Sequence, residues 1–469
     1  MMQGLLWLLV LFMAVLAVGI GIAAWYVRGR YFSASRVHDL LEGFFGSPPS
    51  SMPVVTREYS PMDLPTLHRA LEALYGQDRD GSRTIGFKAD AFSSPRLKDL
   101  AAANSWCTTG PVEYEQINVG EKDCLNCVSN GILLGDGNEG KAALMVSKGK
   151  IYEEKVFLDV AASTLAAASR VAERVHAAMS GANVYRHKVL SLQMSRMGCG
   201  VGGVTLHDLP VITRDQLILP AATLDAIDTN VVQFLKKLEL LRQMNRPIKR
   251  GLLFHGKPGT GKTLVARHLA NACVGVTVFF LTADNLGTLT ATCTMARMLE
   301  PAIVVIEDVD LIAKHREDNR YAPMLHALMN EMDGVSSAAA VIFILTTNRP
   351  DVLEEALAAR PGRVDQAIEF PLPDDTCRRR LFELYGTGLD LAIQDWDAII
   401  RRSQGASPAF IQEVMRKAAL EVAIASDAGS PSRTVTDAEV LTAMRAMLVG
   451  NDRLTRQILG FEEPPRPTS

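Results

Sequence analysis

The pattern of apolar and polar positions along the chain changes at about Leu209. From there, short apolar runs such as "GLLFH", "PAIVVIEDVD" and "VIFILTT" alternate with helix-like segments, which is typical of a parallel sheet wrapped by helices. After "FPLPDD" the strand-like runs stop. The pattern therefore predicts an α/β domain with a leading linker over residues 201–374 and an all-helical lobe over residues 375–450.

Residues 33–200 have a mixed pattern that predicts an α+β domain. "DLPTLHRALEALYG" and "ASTLAAASRVAERVHAAMSG" have helical spacing, whereas "NGILLG", "KAALMVSKG" and "EKVFLDV" are typical of strands. The turn-rich "GDGNEG" predicts a hairpin between the first two of these strands. At the end of the domain, "GCGVGG" is similar to a dinucleotide-binding loop, but such a loop must be followed by a helix and Pro210 comes too soon for one. The segment therefore predicts a flexible hinge. Residues 451–469 are predicted to be a disordered tail.

The start of the chain carries an uncharged apolar run, Gly4–Val27. It is long enough to cross a bilayer as a helix, for which about 20 residues suffice. A cleaved signal peptide is the alternative, but the run lacks a basic segment before it and exceeds the usual length of a signal sequence. Since Arg28 and Arg30 follow the run, the positive-inside rule predicts a single-pass anchor over residues 1–32. The N-terminus would then lie outside and the remaining chain in the cytoplasm.

Composition narrows the class of partner. The 469 residues carry a net charge of −3, and no strong basic field indicates nucleic acid, which is therefore not an expected partner. Seven cysteines in so long a chain are not a disulfide framework and favour a reducing compartment. Cys124 and Cys127 have the spacing of metal ligands, but no second pair completes the four ligands that zinc requires. We expect ordinary loop cysteines there.

The segment "GKPGTGKT" follows a predicted strand and opens a predicted helix, which is the context of a phosphate-binding loop. Its glycines allow the backbone to wrap around phosphates, and the helix N-terminus adds positive potential. Lys262 is expected to reach the β- and γ-phosphates, and Thr263 to offer its hydroxyl to Mg²⁺. The predicted nucleotide-binding residues are Gly256, Lys257, Pro258, Gly259, Thr260, Gly261, Lys262 and Thr263.

A later strand ends in two carboxylates, Glu307 and Asp308. The carboxyl ends of parallel strands are where open α/β sheets place their chemistry. We expect Glu307 to be the Mg²⁺ ligand and Asp308 to polarise the attacking water. Nucleotide hydrolases usually have the order Asp-Glu, so the swap changes the reach of each side chain by one methylene. The alternative is a structural pair in a protein that no longer hydrolyses nucleotide.

Three further residues follow the strand "VIFILTT". Asn348 comes directly after it, and its amide can orient the attacking water beside the γ-phosphate. Arg360 and Arg363 flank a Pro-Gly turn beyond the sheet, where they are poorly placed for their own nucleotide and suit that of a neighbour. An arginine supplied in trans adds about 10³–10⁵ in rate. Such an arrangement requires a ring of subunits.

Four segments in this order, "GKPGTGKT", "IVVIEDVD", "TTNRPDVLEEALAARPGRVD" and "GASPAFIQEVMRKAAL", resemble the AAA family of ATPases over about Leu209–Leu448. The resemblance implies a phosphate-loop α/β lobe with a helical lid, ATP and Mg²⁺ bound at a subunit interface, and a homo-oligomeric ring of six or seven. No arginine falls at the sensor 2 position of the lid. By the same resemblance, the further site residues are the acid pair Glu307 and Asp308, the sensor Asn348, the arginine fingers Arg360 and Arg363, and Gly405 at the start of the lid helix.

The Glu-Asp order, "RPGRVD" and an N-terminal span before an α+β domain resemble the Bcs1-like group, membrane-anchored AAA chaperones that help assemble respiratory complexes. This resemblance implies a chaperone that assembles, moves or disassembles protein clients at a membrane. The interval "LTADNLGTLTATCTMARMLEPA" lacks the aromatic pore loop of threading relatives, and no HExxH motif follows, so a self-contained metalloprotease is not expected. Two alternatives stay open: a peptide-threading unfoldase that serves a separate protease, and a slow nucleotide-gated scaffold.

Overall fold

The computed structural model describes residues 36–76, 82–88, 95–105, 107–120, 123–137, 139–149, 155–194, 201–310, 328–332, 339–351, 364–425 and 433–449. The chain divides into two compact units, Met1–Val184 and Tyr185–Ser469. Within the described ranges, no helix is both long enough and apolar enough to cross a membrane. The predicted anchor (1–32), the predicted tail (451–469) and the two predicted fingers, Arg360 and Arg363, lie outside the described residues.

The first unit is an antiparallel sheet with helices on both faces. Its elements are α1 (Val37–Phe45), β1 (Val54–Tyr59), α2 (Leu64–Tyr75), β2 (Arg83–Phe87), α3 (Leu97–Ala101), β3 (Thr109–Gly110), β4 (Glu113–Asn118), β5 (Cys124–Gly137), β6 (Gly140–Lys148), β7 (Val156–Ala162) and α4 (Leu165–Gly181). The strand order is β1-β7-β6-β5-β2-β3, and β4 also pairs with β5. The hairpin between β5 and β6 closes at the turn-rich segment, where Gly137 pairs with Gly140.

The central strand β6 shows why the apolar runs of this unit are continuous. Leu144 and Val146 pack into the core formed with α2 and α4, whereas Ala143 and Met145 pack into the core formed with α1 and α3. Because both faces of the strand are buried, neither set of alternate positions can be polar. The segment "AALMV", residues 142–146, is therefore apolar throughout, whereas Lys141 before it is exposed.

A buried carboxylate ties β7 to its neighbours. Asp159 is only 1% exposed and accepts hydrogen bonds from Arg96 Nη2 at 2.6 Å, from Thr56 Oγ1 at 2.5 Å and from the Leu97 amide at 3.0 Å. Burial alone would raise the pKa of Asp159, but these hydrogen bonds outweigh it and the pKa lies below its usual value. The carboxylate therefore links β7 to β1 and to the start of α3 in its ionised form.

The second unit is built on a mainly parallel sheet. Its elements are β8 (Val189–Met194), β9 (Val201–Leu206), α5 (Ala221–Ile227), a π-helical turn (Asp228–Gln233), α6 (Phe234–Lys236), α7 (Leu238–Gln243), β10 (Arg250–His255), α8 (Lys262–Ala272), β11 (Thr277–Leu281), α9 (Leu289–Met298), β12 (Ala302–Ile306), β13 (Val341–Thr347), β14 (Gln366–Glu369), α10 (Asp375–Tyr385), β15 (Asp390–Ala392), α11 (Trp396–Arg402), α12 (Pro408–Ala425), β16 (Thr434–Thr436) and α13 (Asp437–Val449). The strand order of the sheet is β14-β10-β13-β12-β11-β8-β9. The six strands from β14 to β8 pair in parallel, and β9 pairs antiparallel with β8 at the edge.

The structure differs from the predicted organisation at two places in this unit. The hairpin β8–β9 belongs to the second sheet, so the boundary between the compact units falls between Val184 and Tyr185 and not at residue 200. Residues 201–203, predicted as part of a hinge, lie in β9. The region 375–450, predicted as all helix, also contains β15 and β16, which pair in parallel over three residues each. Strands that short do not produce a readable pattern in the sequence.

The helical end of the unit has its own core. Phe382 of α10, Ile399 of α11 and Phe410, Ile411 and Met415 of α12 are buried together. Asp374 caps α10 by accepting from the Cys377 amide at 2.7 Å. A cap of this kind satisfies an N–H group that the first turn of the helix leaves unpaired. This core fixes α10 and the start of α12, which form one wall of the cleft described below.

Candidate active site

The segment "GKPGTGKT" forms a loop between β10 and α8. Gly256 has a φ of 151°, and a Cβ there would lie 2.3 Å from the carbonyl oxygen of Phe370, so a side chain cannot be accommodated. Gly259 and Gly261 also have positive φ values, of 76° and 98°. Glycine adopts such conformations without steric cost. The loop thus bends back to the point where α8 begins, and its N–H groups can face an anion.

Lys262 is the first residue of α8 and is 6% exposed. Its Nζ donates to the carbonyl oxygens of Gly256 at 2.8 Å and Lys257 at 2.9 Å. Burial lowers the pKa of Lys262 to about 8, although the nearby carboxylates of Asp308 and Asp310 oppose this change. The ammonium group therefore sits within the loop that is predicted to bind phosphate.

The ends of β12 and β13 bring the predicted acids and the predicted amide together. The two strands are parallel, with Ile306 beside Leu345, so Asp308 and Asn348 follow at the same edge of the sheet. Asn348 Nδ2 donates to Asp308 Oδ1 at 3.0 Å, and the Asp308 amide donates to Thr346 Oγ1 at 3.1 Å. Burial and the charge of Asp310 raise the pKa of Asp308, while Lys262 and the Asn348 hydrogen bond oppose this.

Asp308 has a φ of 50°, which is the left-handed region. Non-glycine residues rarely adopt it, but aspartate and asparagine do so several-fold more often than other residues. A glutamate at this position would meet a higher backbone cost. This gives a physical reason for the shorter acid in second place of the Glu-Asp pair.

The preceding acid, Glu307, has a different environment. Its Oε1 is buried and has no hydrogen-bond partner among the residues that the structure describes. A carboxylate oxygen without a donor suits a cation, and Mg²⁺ prefers oxygen ligands such as carboxylates and hydroxyls. The predicted pair of ligands, Glu307 and Thr263, therefore fits Mg²⁺ in donor chemistry.

Lys262, Thr263, Asp308 and Asn348 line one cleft of about 660 Å³. Away from the phosphate loop, its walls are mainly apolar and come from the segment before α5 and from α10 and α12. These wall residues were not predicted, because loop and helix residues with no charge leave no recognisable motif. They are Pro210, Val211, Ile212, Gln216, Leu384, Tyr385, Pro408, Ala409 and Gln412.

Two contacts hold these walls against the phosphate loop and α8. His268 Nδ1 of α8 lies 2.7 Å from the carbonyl oxygen of Ile212. The Ala409 amide, near the start of α12, donates to the carbonyl oxygen of Gly259 at 3.2 Å. The predicted nucleotide residue Gly405 is not among those that line the cleft. With a φ of 81°, it makes the turn that leads into α12.

Asp310 is a site residue to which sequence reasoning assigned no role. It is 3% exposed, and its Oδ1 accepts from Thr347 Oγ1 at 3.0 Å and from the Asn348 amide at 3.2 Å. The third acid in "EDVD" was the signal that could have drawn attention to it. Its partners lie 37 and 38 residues away along the chain, so the sequence alone does not show them.

A strand–loop–helix that holds a buried lysine, facing an acid and an amide on two later parallel strands, defines a phosphate-loop nucleotide-binding domain. Residues 252–372 match the sequence model of one family of such domains, the ATPase family associated with various cellular activities (AAA). The chain therefore carries an AAA ATPase domain, and the predicted phosphate-loop α/β fold is confirmed for it. Domains of this family use ATP together with Mg²⁺.

Several relatives share this region. The chain is 33% identical over 246 residues to the ATP-dependent zinc metalloprotease FtsH 3 of Sphaerobacter thermophilus, covering 50% of this chain and 49% of that protein. It is 28% identical over 235 residues to the proteasome-activating nucleotidase of Methanothermobacter thermautotrophicus, covering 47% of this chain and 57% of that protein. The chain thus spans only about half the length of these relatives.

A solved structure, that of the FIGL-1 AAA domain, is also similar. It superimposes with a TM-score of 0.43 at 22% identity, and the match covers 51% of this chain and 85% of that one.

Proposed function

We propose that this chain hydrolyses ATP with Mg²⁺ and uses the energy to assemble, move or disassemble protein clients. The observation that carries the proposal is the convergence of Lys262, Asp308 and Asn348 on one cleft, with Asn348 hydrogen-bonded to Asp308. A cleft used only for binding would need the lysine, but it would not need a carboxylate held beside the phosphate end.

Five residues of the site have distinct roles in the proposed reaction. Lys262 exchanges the loop carbonyls it now contacts for phosphate oxygens, and the N–H groups of the loop and of the α8 N-terminus bind the remaining phosphate charge. Thr263 and Glu307 would hold Mg²⁺, which when bound neutralises charge on the β- and γ-phosphates. Asp308 positions a water and accepts its proton as the water oxygen bonds to the γ-phosphorus. The bond from the γ-phosphorus to the β–γ bridging oxygen breaks in the same reaction, and ADP and phosphate leave. Asn348 holds the Asp308 carboxylate in place.

We further propose that the active form is a homo-oligomeric ring of six or seven subunits, in which Arg360 and Arg363 of one subunit act on the nucleotide of the next. The positions of these arginines after β13 in the sequence support this, since the same segment leads from Asn348 to the edge strand β14. Relatives bear names that refer to protein substrates or protein complexes, such as a proteasome-activating nucleotidase and a histone chaperone. These names support protein clients for this chain.

The uncharged run Gly4–Val27 supports a membrane anchor over residues 1–32, with the N-terminus outside and the ATPase domain in the cytoplasm. The Glu-Asp order and the preceding α+β unit favour the membrane-anchored chaperone group over threading unfoldases. The interval between β11 and β12, residues 282–301, contains no aromatic residue. It therefore offers no aromatic side chain that could stack on an extended peptide. We propose that the first unit binds clients or couples them to the motor.

The test is Mg²⁺-dependent ATP hydrolysis by the purified chain over a range of protein concentrations, beside Asp308→Asn and Arg363→Ala. We expect specific activity to rise cooperatively with concentration and to collapse in both variants. Tight ATP binding with no turnover, unchanged by Asp308→Asn, would contradict the proposed ATP-driven motor and favour the nucleotide-gated scaffold.

A further inference from the structure

Asp310 connects the segment that follows β12 to the end of β13. Its single oxygen Oδ1 accepts both the hydroxyl of Thr347 and the backbone amide of Asn348. Asp310 lies two residues after Asp308, on the β12 side of the site, whereas both donors lie at the end of β13. The carboxylate therefore fixes the backbone of Asn348 relative to the segment that carries Asp308.

The side chain of Asn348 then completes a closed set of contacts. With its backbone held by Asp310, its Nδ2 reaches Asp308 Oδ1 at 3.0 Å. On the other side, the Asp308 amide donates to Thr346 Oγ1 at 3.1 Å. Three consecutive residues of β13 and its end, Thr346, Thr347 and Asn348, thus contact the segment that follows β12.

A buried carboxylate is an expensive way to join two strands, because burial of a charge costs free energy that its hydrogen bonds must offset. An apolar residue could fill the same space if packing were all that mattered. Asp310 is 3% exposed and lies at the edge of the sheet that faces the cleft. Its position at the catalytic end of the sheet favours a role in the reaction.

We propose that Asp310 is a positioning residue, which holds Asn348 in the place from which its amide orients Asp308. This inference rests on the proposed hydrolysis of ATP. Asp310 is not among the residues that line the cleft, so its effect on turnover runs through Asn348.

The test is a double-mutant cycle on the full chain with Asp310→Ala, Asn348→Ala and the double variant. We expect Asp310→Ala to lower kcat about 30-fold, because a small misplacement of a catalytic group has effects of this size. The Kd for a fluorescent ATP analogue should change by no more than about threefold. The double variant should be no slower than the slower single variant, because both changes break the same interaction.

Two conservative variants separate geometry from folding. Asp310→Asn keeps an oxygen that can accept both hydrogen bonds, so it should be faster than Asp310→Ala by about tenfold. Thr347→Val removes one of the two donors and should lower kcat by about fivefold. If Asp310→Ala does not fold, these two variants carry the test, and wild-type kcat in both would overturn the proposal.

Glu300 supplies a matched control on the same two strands. It lies just before β12, and its Oε2 accepts from the Ala340 amide at 2.7 Å, just before β13. It thus joins the opposite ends of β12 and β13, away from the cleft. Glu300→Ala should leave kcat within about twofold of wild type. If it lowers kcat as much as Asp310→Ala does, sheet stability explains both losses and the proposal fails.

Further outcomes test the positioning role of Asp310 directly and separate it from the proposed hydrolysis of ATP. An Asp310→Ala variant with wild-type kcat, or losses that multiply in the double variant, would overturn the positioning role. If wild-type protein shows no turnover, the proposed function fails, and Asp310 is then tested by hydrogen exchange. In that case Asp310→Ala should speed exchange of the Asn348 amide but not of the Ala340 amide, and equal exchange at Asn348 would overturn it.

Discussion

Asn348 donates its side-chain amide to the carboxylate of Asp308 across the ends of two parallel strands, at a distance of 3.0 Å. The contact engages one of the two carboxylate oxygens, Oδ1. The burial and charge around Asp308 raise its pKa, with burial the larger cause, which makes the carboxylate a better proton acceptor than an exposed aspartate.

The first prediction concerns the chemistry of this carboxylate. Asp308→Asn keeps the size of the side chain but cannot accept a proton, so kcat should fall by about 100-fold or more. The affinity for ATP should be retained, because Lys262 and the phosphate loop are unchanged. Phosphate release and equilibrium nucleotide binding measure the two effects. Lys262→Ala is the control, since it should lose binding as well; normal turnover in Asp308→Asn would contradict the assigned role.

The second prediction concerns the backbone at the same residue. Because Asp308 has a φ of 50°, Asp308→Glu should lower the free energy of unfolding by about 1 kcal/mol. That corresponds to a fall in the thermal midpoint of about 2–4 °C. Asp308→Asn should melt near wild type, because asparagine tolerates the left-handed region. Thermal melts without nucleotide compare the two variants.

The reversed pair extends this prediction. Glu307→Asp combined with Asp308→Glu restores the acid order that is usual in nucleotide hydrolases. We expect it to remain less stable than wild type and no more active, since the left-handed backbone still carries a glutamate. Recovery of full activity and stability in the reversed pair would show that the order of the acids is independent of the backbone at Asp308.

The sequence was sufficient for the parts of the site that are local. The phosphate loop is one continuous segment between a strand and a helix, and the acids end an apolar run, so spacing alone predicts both. Asn348 was predictable because it directly follows a buried strand, and parallel strands bring their carboxyl ends to one edge. In the structure, four of these residues line one cleft, whereas Glu307 is not among its lining residues; the four are Lys262, Thr263, Asp308 and Asn348. Their catalytic roles stay predictions.

The parts that depend on distant pairing were not predictable. The strand Val189–Met194 has a recognisable pattern, but nothing in it indicates that it pairs with Val278 and Phe279 and so belongs to the second unit. The strands β15 and β16 are three residues long and are stabilised by pairing 44 positions apart along the chain. Asp310 likewise depends on donors from another strand. In each case the deciding contact is tertiary, and a local pattern carries no information about it.

The third prediction tests the proposed action of arginines in trans. Asp308→Asn and Arg363→Ala should each be nearly inactive alone. In mixed rings, an Arg363→Ala subunit supplies an intact acid while an Asp308→Asn neighbour supplies the arginine. If mixing is random and equal, about one interface in four has both groups, so about a quarter of wild-type activity should return. Phosphate release from the mixture measures the recovery.

A matched mixture controls for exchange of subunits. Lys262→Ala and Asp308→Asn both damage the same half of the site, so no interface in that mixture contains an intact lysine and an intact acid in one subunit. Its activity should stay at the level of the separate variants. Equal recovery in both mixtures, or none in the first, would contradict an arginine supplied by the neighbouring subunit.

The last prediction concerns stability of the first unit and its dependence on pH. Asp159→Asn removes the buried charge that Arg96, Thr56 and Leu97 surround, and should lower the free energy of unfolding by about 3 kcal/mol at pH 7. The folded-state pKa of Asp159 is below its unfolded value. Its stabilising effect is therefore present above the unfolded pKa of about 4 and is lost as pH falls through the folded pKa. Urea denaturation monitored by circular dichroism should thus show a smaller difference in the free energy of unfolding between wild type and variant at pH 3 than at pH 7.

Thr56→Val is the control, because it removes only a neutral donor to the same carboxylate. It should lower the free energy of unfolding by about 1 kcal/mol. An Asp159→Asn difference of the same size at both pH values would mean that the carboxylate stabilises the unit by packing and not by its charge.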